Sequence, residues 1–116
     1  MSDIRLPTRE EMRELSPLEL AKTHCLAEDA GDVATVVDTF TTLDPYYRVP
    51  SLGIDVAGIE QIRAFYTASL GALPDLVNLE PTWIETPGHV FLSVAFEATF
   101  SVSIHVGEVV LRRVGA

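Results

Sequence analysis

The chain has 116 residues, 47% hydrophobic and 22% charged, with 17 acidic against 8 basic side chains and a net charge of −9. That length and balance describe one globular domain able to bury a core without metal or disulfide support. The acidity argues against nucleic acid and anionic membrane as partners, no apolar run reaches the roughly 18 residues of a membrane span, and a lone cysteine, Cys25, points to a reducing, cytoplasmic setting.

Residues 1–15 read as an N-terminal arm and short helix, ahead of a single domain over 16–116. The opening "MSDIRLPTREEMREL" is charged and has no apolar h-region, so no secretory signal is expected. Thr8 with Glu11 three residues on forms a capping-box pattern for the short helix. Ser16 and Pro17 then start a second helix, serine as N-cap and proline at the first helical position, which stops at Gly31. Its inner face carries Leu20, His24 and Ala27, with Leu18, Ala21 and Cys25 beside them. Asp32 caps a third helix whose stripe is Val33, Val36, Val37 and Phe40, ending before Pro45.

"YYRVP" reads as a short strand and "DVAG" as its short partner. "GIEQIRAFYTASLGAL" is a further long helix, with Ile59, Ile62, Phe65, Tyr66 and Leu70 on its buried side. From Asp75 the period changes to two. "LVNLEPTWIET" is a strand with a bulge or edge position at Pro81, and Pro87-Gly88 is a turn. "HVFLSVAFEATFSVSIHV" alternates, with Val90, Leu92, Val94, Phe96 and Ala98 facing one way, and should turn near Ser101–Ser103 before a last strand, "EVVLRRV". Helices followed by a meander of strands give an α+β layout.

At "AGDVATVVDTF", "GIEQIRAFYTASL" and "LPDL" the chain resembles the SnoaL-like branch of the nuclear-transport-factor-2-like superfamily, over about Leu18 to Leu111. That branch groups polyketide cyclases, ketosteroid isomerases and limonene-epoxide hydrolases. The resemblance implies a cystatin-like cone: three main helices packed on a curved antiparallel sheet, here with a shortened C-terminal end after "VVLRRVGA". It also implies an apolar small-molecule ligand in the cone, no cofactor or metal, and a homodimer through the outer sheet face. In that alignment the usual carboxylate base position falls on Arg48 or Tyr47, the oxyanion tyrosine on His24, and the second acid near Glu108 or Val109, of which only Glu108 has the chemistry.

The expected chemistry is therefore general acid/base work on an apolar cyclic or polyketide-like molecule, as cyclisation, isomerisation, dehydration or epoxide opening. His24 would transfer the proton, Arg48 and Tyr46 would stabilise developing negative charge, and Glu108 would pair with one of them. Tyr47, Asp55, Phe65, Trp83, Leu92 and Phe96 are the expected substrate-binding residues. Strand parity leaves two cases for the arginine: Tyr46 and Arg48 inward with a carboxylate such as Asp55 or Glu108 nearby, or both outward with Tyr47 filling the core. No two of His24, His89 and His105 have metal-ligand spacing, so no metal is expected. The alternative function is a non-catalytic small-molecule-binding or dimerisation module of the same fold.

Overall fold

Each of the first three helices begins where the sequence supplies an acceptor for its orphan amides. In the computed structural model, which describes residues 5–99 and the strand segments Ile104–Val106 and Val109–Leu111, helix α1 (Arg9–Met12) carries the Thr8–Glu11 capping box. Helix α2 (Pro17–Ala30) carries a second one between Ser16 and Glu19, with Pro17 in its first turn. It ends at Gly31, whose φ of 68° is the left-handed conformation that closes a helix at little steric cost. The Asp32 side chain accepts from the Thr35 amide and starts α3 (Val33–Asp38). This helix is shorter than the apolar stripe suggests. Thr39 turns its hydroxyl back to the Val36 carbonyl, and Phe40 takes a tighter bond to Val37 before the chain leaves for Pro45.

Strands β1 (Tyr46–Val49) and β2 (Ile54–Ala57) form an antiparallel pair joined through a single 3-10 turn at Pro50–Leu52. Helix α4 (Ile59–Ala72) follows and buries Ile62, Tyr66 and Leu70 along one face. Strands β3 (Val77–Thr86) and β4 (His89–Glu97) make the long hairpin across the Pro87-Gly88 turn. The bulge anticipated at Pro81 is present. The register slips by one residue between Leu79 and Thr82, and Glu80 sits at a φ of 49°, a conformation costing about 1 kcal/mol for a residue with a Cβ. Strands β5 (Ile104–Val106) and β6 (Val109–Leu111) form a third antiparallel pair.

The class is thus α+β, but among the described residues each strand pairs only with its sequence neighbour. Among the described residues there are three two-stranded ladders, not one continuous curved sheet. Pro45 and Pro50 bracket β1, and neither can donate to a ladder, which keeps that strand to four residues. The anticipated turn near Ser101–Ser103 lies outside the described residues.

The core lies between α2, α3 and α4. Ala27, Val36, Ile62, Tyr66, Leu70 and Leu76 form one buried cluster, with Val33, Phe40, Tyr47, Val56 and Phe65 packed around it. Full burial of a side chain such as Ile62 is worth about 1.5–3 kcal/mol. The short helix α1 packs on α3 and buries Met12 completely, so it belongs to the folded body. The long hairpin is fastened to α2 by Asn78, whose backbone amide and side-chain amide both donate to Asp29 at 2.9 Å. At the same open end of the hairpin, Asp75 accepts from the Thr99 amide at 2.8 Å. Among the described residues, no helix is long and apolar enough to cross a membrane.

Candidate functional site

Between α2, the end of α3, β1, α4 and β4 lies a hollow of about 280 Å³, close to the lower limit of about 300 Å³ for small-molecule sites. Leu20, Ala21, Cys25, Phe40 and Leu92 give it apolar walls, and His24, Thr39, Tyr47 and Tyr66 supply its polar atoms. The helical period of α2 puts Leu20, Ala21, His24 and Cys25 on one side of the helix, which is why a single segment furnishes four of the nine described lining residues.

His24 is the centre of this arrangement, and its ring is fixed at both nitrogens. Nδ1 lies 2.9 Å from the Thr39 hydroxyl oxygen. That hydroxyl spends its only proton on the Val36 carbonyl, so it must accept here, and Nδ1 is the donor. Nε2 then faces two groups, the Glu28 carboxylate at 3.2 Å and the Tyr66 hydroxyl at 3.3 Å. Nε2 thus faces an acceptor in Glu28 and, in Tyr66, a hydroxyl able to donate or accept, so the His24–Glu28 pair stands where a proton can pass between them. With side-chain exposures of 23% and 19%, the pair is neither dry nor fully solvated. Chemically it can hold one proton and pass it between imidazole and carboxylate, or to a bound molecule.

The aromatic side chains keep the ring in place. Phe40 and Tyr66 meet His24 edge-on, with centroids at 5.7 and 5.6 Å, and Tyr47 contacts Tyr66 in the same manner at 5.7 Å. Burial pushes both phenols above the ordinary tyrosine range. For Tyr66 the neighbouring Tyr47 and the Glu28 carboxylate add to burial, and for Tyr47 the Glu28 carboxylate adds while a hydrogen bond from Tyr66 opposes. Both therefore act at neutral pH as neutral hydroxyls. The Cys25 thiol is pushed up to about 11, by burial first and then by the Glu28 and Asp29 carboxylates, so it is no nucleophile.

Among the described residues, Arg48 and Tyr46 are not brought to His24. Arg48 and Tyr46 take the outward case. Arg48 Nε pairs across the ladder with Asp55 at 3.1 Å, both side chains more than half exposed, and the guanidinium lies 4.4 Å from the centre of the Tyr46 ring. Placement inside would have required a buried carboxylate partner; the cross-strand Asp55 satisfies the charge at the surface instead. Arg48, Tyr46 and Asp55 thus sit away from the hollow, while Tyr47, on the opposite strand face, lines it. Leu92 also lines it. Phe65 packs on Tyr47 from α4 at a centroid distance of 5.0 Å and belongs to the core margin. Trp83 is half-buried beneath Lys22, whose ammonium lies 6.0 Å from its ring, and Phe96 is 60% exposed; neither is among the described residues lining the hollow. Glu108 lies outside the described residues.

Sequence reading passed over Glu28, Thr39 and Tyr66. Glu28 had a usable signal, since it stands four residues after His24 on the same helix and must lie beside it. Tyr66 was legible as buried, but its hydroxyl's partner comes from another helix and has no local signature. No group of three or more His, Cys, Asp or Glu side chains among the described residues could hold a metal ion.

The chain matches no family model, no curated protein and no solved structure.

Proposed function

We propose that this chain is a small cofactor-free enzyme of SnoaL-like type, acting by general acid/base chemistry on an apolar cyclic or polyketide-like molecule held in the hollow beside His24. The carrying observation is the doubly fixed imidazole in an apolar-walled space, with Thr39 setting its tautomer and Glu28 able to exchange a proton with Nε2. In this reading His24 moves the proton, Glu28 stores it, and Tyr66, as a neutral hydroxyl, donates to an oxygen that gains charge. Arg48 and Tyr46 have no part in it.

A thermal-shift screen with hydrophobic carbonyl compounds, followed by mass analysis of the recovered ligand, tests the proposal. Conversion of a stabilising compound, slowed about a hundredfold or more by His24→Gln, supports it. Conversion indifferent to that substitution rules out His24 as the acid/base group.

A non-catalytic binding module is the second reading. Its specific support is that both His24 nitrogens already have protein partners, as in a histidine kept for structure. Recovery of a stabilising compound unchanged after prolonged incubation selects it. Under either reading we propose a homodimer through the outer face of β3 and β4, where Val77, Ile84 and Phe91 are about half exposed. Sedimentation should then give a dimer that Ile84→Lys converts to monomer; a wild-type monomer refutes this contact.

A further inference from the structure

A second hollow, larger than the first at about 440 Å³, opens between α1, α3, the Thr41–Pro45 loop and the start of α4. Its floor is apolar, built by Val37, Phe40 and Ile59. Its rim is basic: Arg9, Arg13 and Arg63 all line it, three of only eight basic side chains in a chain of net charge −9. Arg9 and Arg13 stand four residues apart at the two ends of the short α1, and neither guanidinium has an ion pair or hydrogen bond among the described residues. Arg63 has only a long contact with Glu60, at 3.7 Å. Asp38 and Glu60 share the wall and leave one positive charge in excess.

Two features are unexplained by folding. Guanidiniums in an acidic protein ordinarily find carboxylates, as Arg5 does with Glu11 and Arg48 with Asp55. Leu43, on the lining loop, is 100% exposed, an apolar side chain left wholly in water at the edge of an apolar floor. A ligand with an anionic head and an apolar body would answer both. The head would take the charge-assisted forks of the arginines, and the body would cover the floor and Leu43.

We infer that this hollow is a binding site for a small amphiphile bearing a carboxylate or phosphate headgroup, distinct from the His24 hollow, with which it shares only the Phe40 wall. The head is held by Arg9 and Arg13, with Arg63 closing from α4. Asp38 opposes it and tunes the affinity down. The volume suits a single small molecule, not a polymer backbone.

Calorimetric titration of the full chain with octanoate, octyl phosphate and 1-octanol tests this. The two anions should each bind at least tenfold more tightly than 1-octanol, with affinity falling as salt is added, and the tighter of the two names the headgroup. Arg9→Ala/Arg13→Ala should weaken anion binding tenfold or more, Arg63→Ala should weaken it less, and Asp38→Asn should strengthen it. His24→Gln should leave it unchanged, which separates this site from the proposed reaction. Absence of anion binding, equal affinity for 1-octanol, indifference to both arginine variants, or loss in His24→Gln would each overturn the inference.

Discussion

Asn78 is the clamp by which the long hairpin is held on α2, and its removal has a calculable effect. Its side-chain amide donates to the Asp29 carboxylate at 2.9 Å, to the Glu28 carboxylate at 3.3 Å and to the Cys25 carbonyl at 3.3 Å. Asn78→Ala deletes all three and spares the backbone amide bond to Asp29. A charge-assisted bond is worth about 1.5–3 kcal/mol when buried; at this exposed carboxylate about 1 kcal/mol is reasonable, and the two longer bonds add about 0.5 kcal/mol each at most. The expected loss is about 2 kcal/mol, or a fall in Tm of about 6–8 °C for a domain of this size. Urea unfolding of Asn78→Ala, Asp29→Ala and the double variant gives both the loss and the pair's coupling, expected near 1 kcal/mol. A loss below about 0.5 kcal/mol, with additive single effects, would refute the claim that this contact fastens hairpin to helix.

Other consequences concern titration and the surface. With its pKa pushed up to about 11, Cys25 should react slowly with iodoacetamide at pH 7–8 and accelerate towards a midpoint near that value; a midpoint near the free-thiol value of about 8.5 would contradict the assigned burial. Tyr47 and Tyr66 have folded-state pKa values above the ordinary 10. Their contribution to stability is complete below about pH 10 and is lost as pH rises further, because only the unfolded chain then releases those protons. Urea midpoints measured from pH 9 to 11 should fall, and fall less steeply in Tyr66→Phe; equal slopes would contradict it. Arg48→Ala removes an exposed pair and should cost under about 1 kcal/mol, with no effect on any ligand bound beside His24. Weakened binding would bring Arg48 back to the site.

The features legible in the sequence are those settled by local chemistry. The Thr8–Glu11 capping box, Ser16 as an N-cap, Gly31 as a helix stop, Asp32 as a cap and the bulge at Pro81 each depend on residues within a few positions of one another. Strand parity is equally local: it groups Tyr46 with Arg48 opposite Tyr47, and leaves only the choice of which face turns in. That choice turned on a cross-strand partner, Asp55, whose register with Arg48 comes from the length of the turn between the strands. The same limit explains the site. His24 is on the inner face by helical period, but Thr39 and Tyr66, which help fix its ring, come from the end of α3 and from α4, and their roles exist only once those helices pack. The separation of the strands into two-stranded ladders is likewise a tertiary outcome, which alternation alone does not encode.

Everything functional rests on an apolar molecule reaching the imidazole through the hollow that Leu20, Phe40 and Leu92 help to wall. Nitrogen-15 spectra of His24, recorded while a stabilising carbonyl compound is titrated in, report on that contact directly. A saturable shift of the Nε2 resonance, with Nδ1 still bonded to Thr39, is the predicted result. A stabilising compound that leaves both His24 resonances unmoved would place its binding elsewhere and contradict the account.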